Sequence, residues 1–277
     1  MTMNTMKRSL VVLLTLLAFN SPSQGDEPVL TKHVVQAGEV LQYKVKWSIF
    51  RLGTVILKTI RDTSCGAAED IKVIMTVKSN PDLSFIWIQE LNECVVDTHT
   101  LDSKLFHAWH RNGEQYNEIW HVVDKPHHCT YYQVVDRISG TILASDTLRE
   151  VESFVEGPSL FMAARCLSRS LGTKCVPTLV GGQIASTELV FGSERELIDI
   201  GAVETPVRVR KFLGVAHWQG GTEAGLGGEF TGWISDDDAA VPILSEVKVI
   251  LGSIRLELES WSRPGWEPPS AQMISSN

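Results

Sequence analysis

Five histidines and a cysteine cluster in the middle of the sequence: His107, His110, His121, His127, His128 and Cys129. Such residues can hold a transition metal when three or four converge. The spacing argues against convergence. His107 and His110 lie three apart, so on a strand they point to opposite faces. His110 and His121 share a face, but on a hairpin they fall roughly 20 Å apart along the strands. No metal site is expected. A second concentration of chemistry is Asp236-Asp237-Asp238, between Trp233-Ile234-Ser235 and Val241-Pro242. Carboxylates of this kind serve as calcium ligands or as the acid pair of a glycosidase. The D-x-D-x-D-G spacing of a calcium loop is absent, and no second acid can be placed opposite. A strand-ending turn whose aspartates bond their own backbone accounts for the run more simply. There is no G-x-S-x-G, H-E-x-x-H, phosphate-binding or dinucleotide motif. Ser245-Glu246-Val247-Lys248 matches S-x-x-K, but its partner motifs are missing. No cofactor is expected.

The elements that would position these residues read mostly with a period of two. Leu41, Tyr43, Val45 and Trp47 share one face of a strand, and Gln42, Lys44 and Lys46 share the other. Similar alternation runs through Ile71–Val77, Val247–Leu251 and Ile254–Leu258. These are half-buried antiparallel strands with one wet face. Asn112-Gly113 marks a hairpin turn. It predicts the pairs Arg111 with Glu114, Trp109 with Tyr116, His107 with Glu118 and Leu105 with Trp120. Leu105, His107, Trp109, Tyr116, Glu118 and Trp120 then line one aromatic face holding a single His–Glu pair. One helix is predicted from Pro158, with Leu160, Ala164, Leu167 and Leu171 as its stripe and Gly172 just past its end. Arg165 and Arg169 lie off that stripe, as a solvated or ion-paired face.

Composition bounds the function. The 277 residues carry 25 Lys+Arg and 33 Asp+Glu, a net charge of -8. No basic face for nucleic acid is expected from such a chain. Residues 1–25 read as a signal peptide: Lys7 and Arg8, then the apolar run Leu10 to Phe19, then small residues before Asp26. No later stretch is apolar enough to span a membrane, so the mature chain is expected in the periplasm. Residues 26–262 are expected to form one β-rich domain. Residues 263–277, with Pro264, Pro268 and Pro269, are expected as a flexible tail. Gly220 to Gly228 reads as a surface loop. Export makes Cys65, Cys94, Cys129, Cys166 and Cys175 disulfide candidates, and Cys166 with Cys175 is the pair expected from the helix end.

Two segments together carry a family resemblance. Gly38-Glu39-Val40 through Trp47, followed by Leu52-Gly53-Thr54, resembles the opening of the exported bacterial family called domain of unknown function 3108. Trp233-Ile234-Ser235-Asp236-Asp237, with Pro242 and Leu251-Gly252-Ser253, resembles its closing motif. The helix falls where that family has its own. The resemblance implies a periplasmic, β-rich protein related to curved half-barrels around a central helix, and it brings no activity or catalytic residue. The expected fold is therefore mainly β: a single strongly curved antiparallel sheet, an open or half barrel, packed around one α-helix. The expected function is non-catalytic binding or envelope maintenance. The ligand would be a lipid, a lipoprotein acyl chain or a glycan on a concave aromatic face. Its candidate contacts are Trp47, Trp109, Tyr116, Trp120, Trp233, Asp236 and Asp237. The alternative is a hydrolase of envelope polymers, using Asp236 and Asp237 with His107 and Glu118.

Overall fold

The computed structural model describes residues 34–62, 70–84, 87–151, 153–217, 228–249 and 252–270. The signal segment, Cys65, most of the glycine-rich loop and residues 271–277 lie outside the described residues. Fourteen strands and one α-helix make up the described chain. The first meander is β1 (Val40–Trp47), β2 (Phe50–Arg61), β3 (Ile71–Ser79), β4 (Ile88–Val96), β5 (Ser103–Asn112), β6 (Gln115–Asp124), β7 (Cys129–Asp136) and β8 (Ile142–Arg149). Helix α1 (Pro158–Leu167) follows. The second meander is β9 (Gly172–Val180), β10 (Gln183–Ile198), β11 (Val207–Ala216), β12 (Gly228–Ser235), β13 (Pro242–Val249) and β14 (Gly252–Ser262).

All fourteen strands belong to one antiparallel sheet, and the pairing of β1 with β14 joins the two meanders. β8 and β9 are the free edges. They do not pair. Instead the sheet curls until the β9–β10 turn at Gly182 lies against the Tyr132 ring of β7. The segment before the helix closes the seam further: Val155 forms a parallel bridge to Thr178 of β9, and the Ser103 N–H donates to Phe154 O. The result is a strongly curved, incompletely closed barrel around one helix, as the alternating strands predict.

The helix sits inside the curl. Met162 packs into a cluster with Leu41, Tyr43, Val73 and Ala108, while Ala163, Ala164 and Cys166 pack into another with Leu189, Phe191 and Ile234. Apolar contacts on both sides explain why the predicted stripe is too narrow. The helix also ends a turn earlier than expected, and Leu171 is exposed. Gly172, at φ +89, begins β9 instead of capping the helix directly.

Two further expectations need correction. The β5–β6 loop is Gly113-Glu114, because Asn112 stays in the ladder opposite Gln115. Only Gly113 has a positive φ, +57, which is the Gly-x pattern of a type II′ turn. Trp109 therefore pairs with Glu118, and His107 with Trp120. A shift of two preserves which residues share a face. Residues 263–270 are also packed rather than loose. Arg263 and Trp266 are buried, and Ser270 bridges to Val207.

Candidate functional site

The aromatic face of β5 and β6 is real, but it is the outer one. Phe106 and Ala108, the alternate residues of β5, are buried in the cluster that contains Met162 of the helix. Trp109, Tyr116 and Trp120 point the other way and are half-buried. A two-residue period says which side chains share a face, not which face the sheet curls around. On the concave side, described residues of β5 pack with the helix into one buried cluster.

On the outer face the His107 ring stacks on Trp120 and tilts against Trp109. His107 Nε2 lies 2.7 Å from Glu118 Oε1. Arg137 Nη1 lies 3.1 Å from the other carboxylate oxygen of Glu118. Burial would raise the Glu118 carboxyl, but the His107 bond and the Arg137 charge hold it below the ordinary glutamate range. The Arg111 guanidinium lies 4.7 Å from the Trp87 ring and 5.8 Å from Tyr116. Val122 and Tyr131 pair on the same face and are exposed. Trp87 ahead of β4 and strands β5 to β7 thus carry a band of rings with charged and hydrogen-bonding groups set among them.

The other candidates lie elsewhere. Trp47 ends β1, half-buried, opposite Ile254 and Phe50. Trp233 in β12 donates from Nε1 to Glu196 Oε2 at 2.8 Å. Asp237 is a turn-former, as the sequence suggests. Its Oδ1 accepts from the N–H groups of Ala239 and Ala240 and from Ser235 Oγ, and its Oδ2 accepts from Trp266 Nε1 at 2.7 Å. Asp236 is ringed by Arg195, Arg208 and Arg210. Burial would raise its carboxyl, but Arg210 and Arg195 hold it below the ordinary aspartate range. A general acid needs the opposite shift. No hydrogen bond or ion pair joins Asp236 or Asp237 to His107 or Glu118 among the described residues.

Cys166 and Cys175 are both free thiols. Cys166 points into the core from the helix, whereas Cys175 of β9 is exposed beside the inward-pointing Val176. The two side chains face away from each other across the strand layer, so the expected disulfide is absent. Burial pushes the Cys166 and Cys94 thiols up to about 12. Among the described residues no three His, Cys, Asp or Glu side chains come together as metal ligands do. No described helix is long and apolar enough to cross a membrane.

Two buried polar constellations escape a reading of the sequence. At the centre, Arg165 of the helix is 2 % exposed and bonds both oxygens of Glu39, at 2.6 and 3.0 Å. It also donates to the carbonyls of Val34, Ala239 and Ala240. Arg263 pairs with the same Glu39 carboxylate. Burial would raise that carboxyl, but the two guanidinium groups overcome it and hold the group ionised. Ahead of the helix, the Glu156 carboxylate is bonded to His121 Nδ1 and accepts from Ser103 Oγ at 2.7 Å. Cys94 Sγ lies 3.1 Å from Ser103 Oγ. Ser donates to Glu rather than to His, so this is not a nucleophile activated by a base. Its effect is to pin the segment before the helix to β5 and β6.

No protein-family model matches the chain, and no curated protein matches it. The resemblance to domain of unknown function 3108 therefore rests on its motifs alone. Solved structures that are similar in fold include a beta-barrel-like protein of domain of unknown function DUF1849 from Brucella abortus. The TM-score is 0.56 at 9% sequence identity, over 83% of this chain and 98% of that one. At that identity the likeness is one of architecture. It places the chain among mainly β, barrel-like folds.

Proposed function

We propose that the chain is an exported, non-catalytic binding protein that holds a glycan on the outer aromatic face of β5 and β6. The observation that carries this is the band of Trp109, His107, Trp120 and Tyr116, interleaved with Glu118, Arg111 and Arg137. Flat rings stack on the C–H faces of sugars, and neighbouring charged groups hydrogen-bond their hydroxyls. An acyl chain needs an enclosing cavity. The concave side that would supply one is occupied by Phe106, Ala108 and the helix, so the lipid half of the expectation loses its support. Export to the periplasm is supported by the basic-then-apolar pattern of residues 1–25. The acids of the 236–238 turn serve as ion-pair and backbone acceptors, which speaks for binding rather than hydrolysis.

The test is a tryptophan-fluorescence titration of the mature chain with a soluble N-acetylglucosamine oligomer, and with a fatty acid for comparison. The oligomer is expected to give a saturable change and the fatty acid none. Trp120→Ala and Trp109→Ala are each expected to weaken binding about tenfold, the effect of losing roughly 1.4 kcal/mol of contact. No saturable response, or unchanged affinity in folded variants, would overturn the reading.

A further inference from the structure

Arg195, Arg208 and Arg210 stand in the other half of the sheet from the aromatic face. Arg195 of β10 pairs directly with Arg210 of β11, and Leu197 pairs with Arg208. All three arginines converge on Asp236, just after β12. Arg195 Nε donates to Asp236 Oδ2 at 2.7 Å, Arg210 Nε donates to Oδ1, and Arg208 Nε lies 3.1 Å from Oδ2. Arg208 Nη2 also donates to the Asp236 carbonyl at 3.3 Å.

The charges do not balance. Three guanidinium groups meet one carboxylate, and Asp236 is their only acidic partner among the described residues. The local excess is two positive charges in a chain whose net charge is -8. Like charges placed opposite on neighbouring strands repel, so the arrangement stays costly unless something offsets it. The hydrogen-bond capacity is equally unbalanced. Arg195 and Arg210 both turn Nε toward Asp236, and their Nη groups meet no acceptor among the described residues. Asp236 fixes the two forks side by side and leaves their open ends free. The site is reachable, with Arg195 56 % exposed and Arg208 and Arg210 about a quarter exposed.

We propose that Arg195, Arg208 and Arg210, held by Asp236, form a binding site for a phosphate monoester dianion. A dianion supplies the two missing negative charges. Its oxygens match the spacing of paired guanidinium N–H groups, which bind phosphate bidentately. Leu197, 56 % exposed beside Arg208, offers an apolar contact for the esterified group. The same chemistry is presented by a small soluble phosphate ester and by a phosphatidic acid headgroup.

The experiment uses the mature chain with its sheet intact. Inorganic phosphate and phenyl phosphate are titrated by calorimetry, and cosedimentation is measured with phosphatidylcholine vesicles containing phosphatidic acid. Vesicles carrying the same charge as phosphatidylglycerol, a diester monoanion, are the comparison. One-to-one phosphate binding is expected, weakened about tenfold in Arg195→Gln and again in the Arg195→Gln/Arg210→Gln pair. Asp236→Asn, where it folds, is expected to bind phosphate more tightly, since it removes a negative charge and raises the local excess to three, which a purely structural cluster would not turn into affinity. Binding in the soluble arm alone identifies a free ester; binding to phosphatidic acid vesicles alone identifies a headgroup. Binding in neither arm, equal binding to phosphatidylglycerol vesicles, or unchanged binding in folded Arg195→Gln would overturn the proposal. None of these outcomes bears on the aromatic face.

Discussion

At the scale of single residues, the structure turns on a charge buried where none was expected. Arg165 reads from sequence as one of two arginines on a helix face away from the apolar stripe. Arg169 does behave so, exposed and paired with Asp238. Arg165 instead points inward, because the sheet surrounds the helix and leaves it no wet side there. Its guanidinium is saturated by Glu39 and three carbonyls. Removing Glu39 takes away the carboxylate that two buried cations, Arg165 and Arg263, share. Glu39→Gln is expected to lower unfolding free energy by about 3–5 kcal/mol in a urea titration. Arg165→Met leaves the Glu39–Arg263 pair intact and is expected to cost less. The acid limb follows from the same carboxyl. Its folded pKa lies below the ordinary glutamate value of 4.5, so its contribution is fully present above that value. The contribution is lost as pH falls through the lowered folded value. Urea midpoints measured down this acid range should fall less steeply for Glu39→Gln than for the parent.

At the scale of elements, periodicity carries far and then stops. Faces of strands are legible, because a two-residue period survives even the register shift at Gly113. The identity of the inner face is not legible on β5 and β6, where Leu105, Trp109 and Trp120 look more core-like than Ala108 and His121. Long-range packing decides that: small as it is, Ala108 is buried in the cluster that holds Met162 of the helix. Glycines show a related limit. Phe212 pairs with Gly232 and Phe230 with Gly214, and each ring covers the glycine opposite, where a Cβ would clash. Nothing local in Thr231-Gly232-Trp233 announces that role. Gly232→Ala is expected to cost about 1–3 kcal/mol, as overpacking does. Gly192→Ala, with one contact near 3.9 Å and no positive φ, is expected to stay within about 0.5 kcal/mol. Phe212→Leu should relieve much of the Gly232→Ala penalty in a double-mutant cycle. Equal costs at Gly232 and Gly192 would refute the account.

At the scale of the whole molecule, the two motifs that resemble a family turn out to be parts of one hub. Glu39, from the opening motif, meets Arg165 of the helix, and Arg165 donates to the carbonyls of Ala239 and Ala240 in the turn that Asp237 organises. The motifs therefore encode how strands inside the sheet, β1, β12 and β13, are tied to the helix, which is architecture and not a site. The segment after β14 belongs to the same hub. Arg263 pairs with Glu39, Trp266 bonds Asp237 and packs edge-on against Trp261 at 5.7 Å, and Ser270 bridges to Val207. Its three prolines suggest a loose tail only when the partners are unseen, since proline removes ladder donors without preventing burial of the residues between. Truncation separates the two views. A chain ending at Ser262 loses a buried tryptophan and half the countercharge of Glu39. Its urea midpoint should fall by the equivalent of about 3 kcal/mol or more. A chain ending at Ser270 keeps every one of these contacts and should unfold at the parent midpoint. If both truncations unfold alike, the segment contributes nothing, and the hub closes at Ser262.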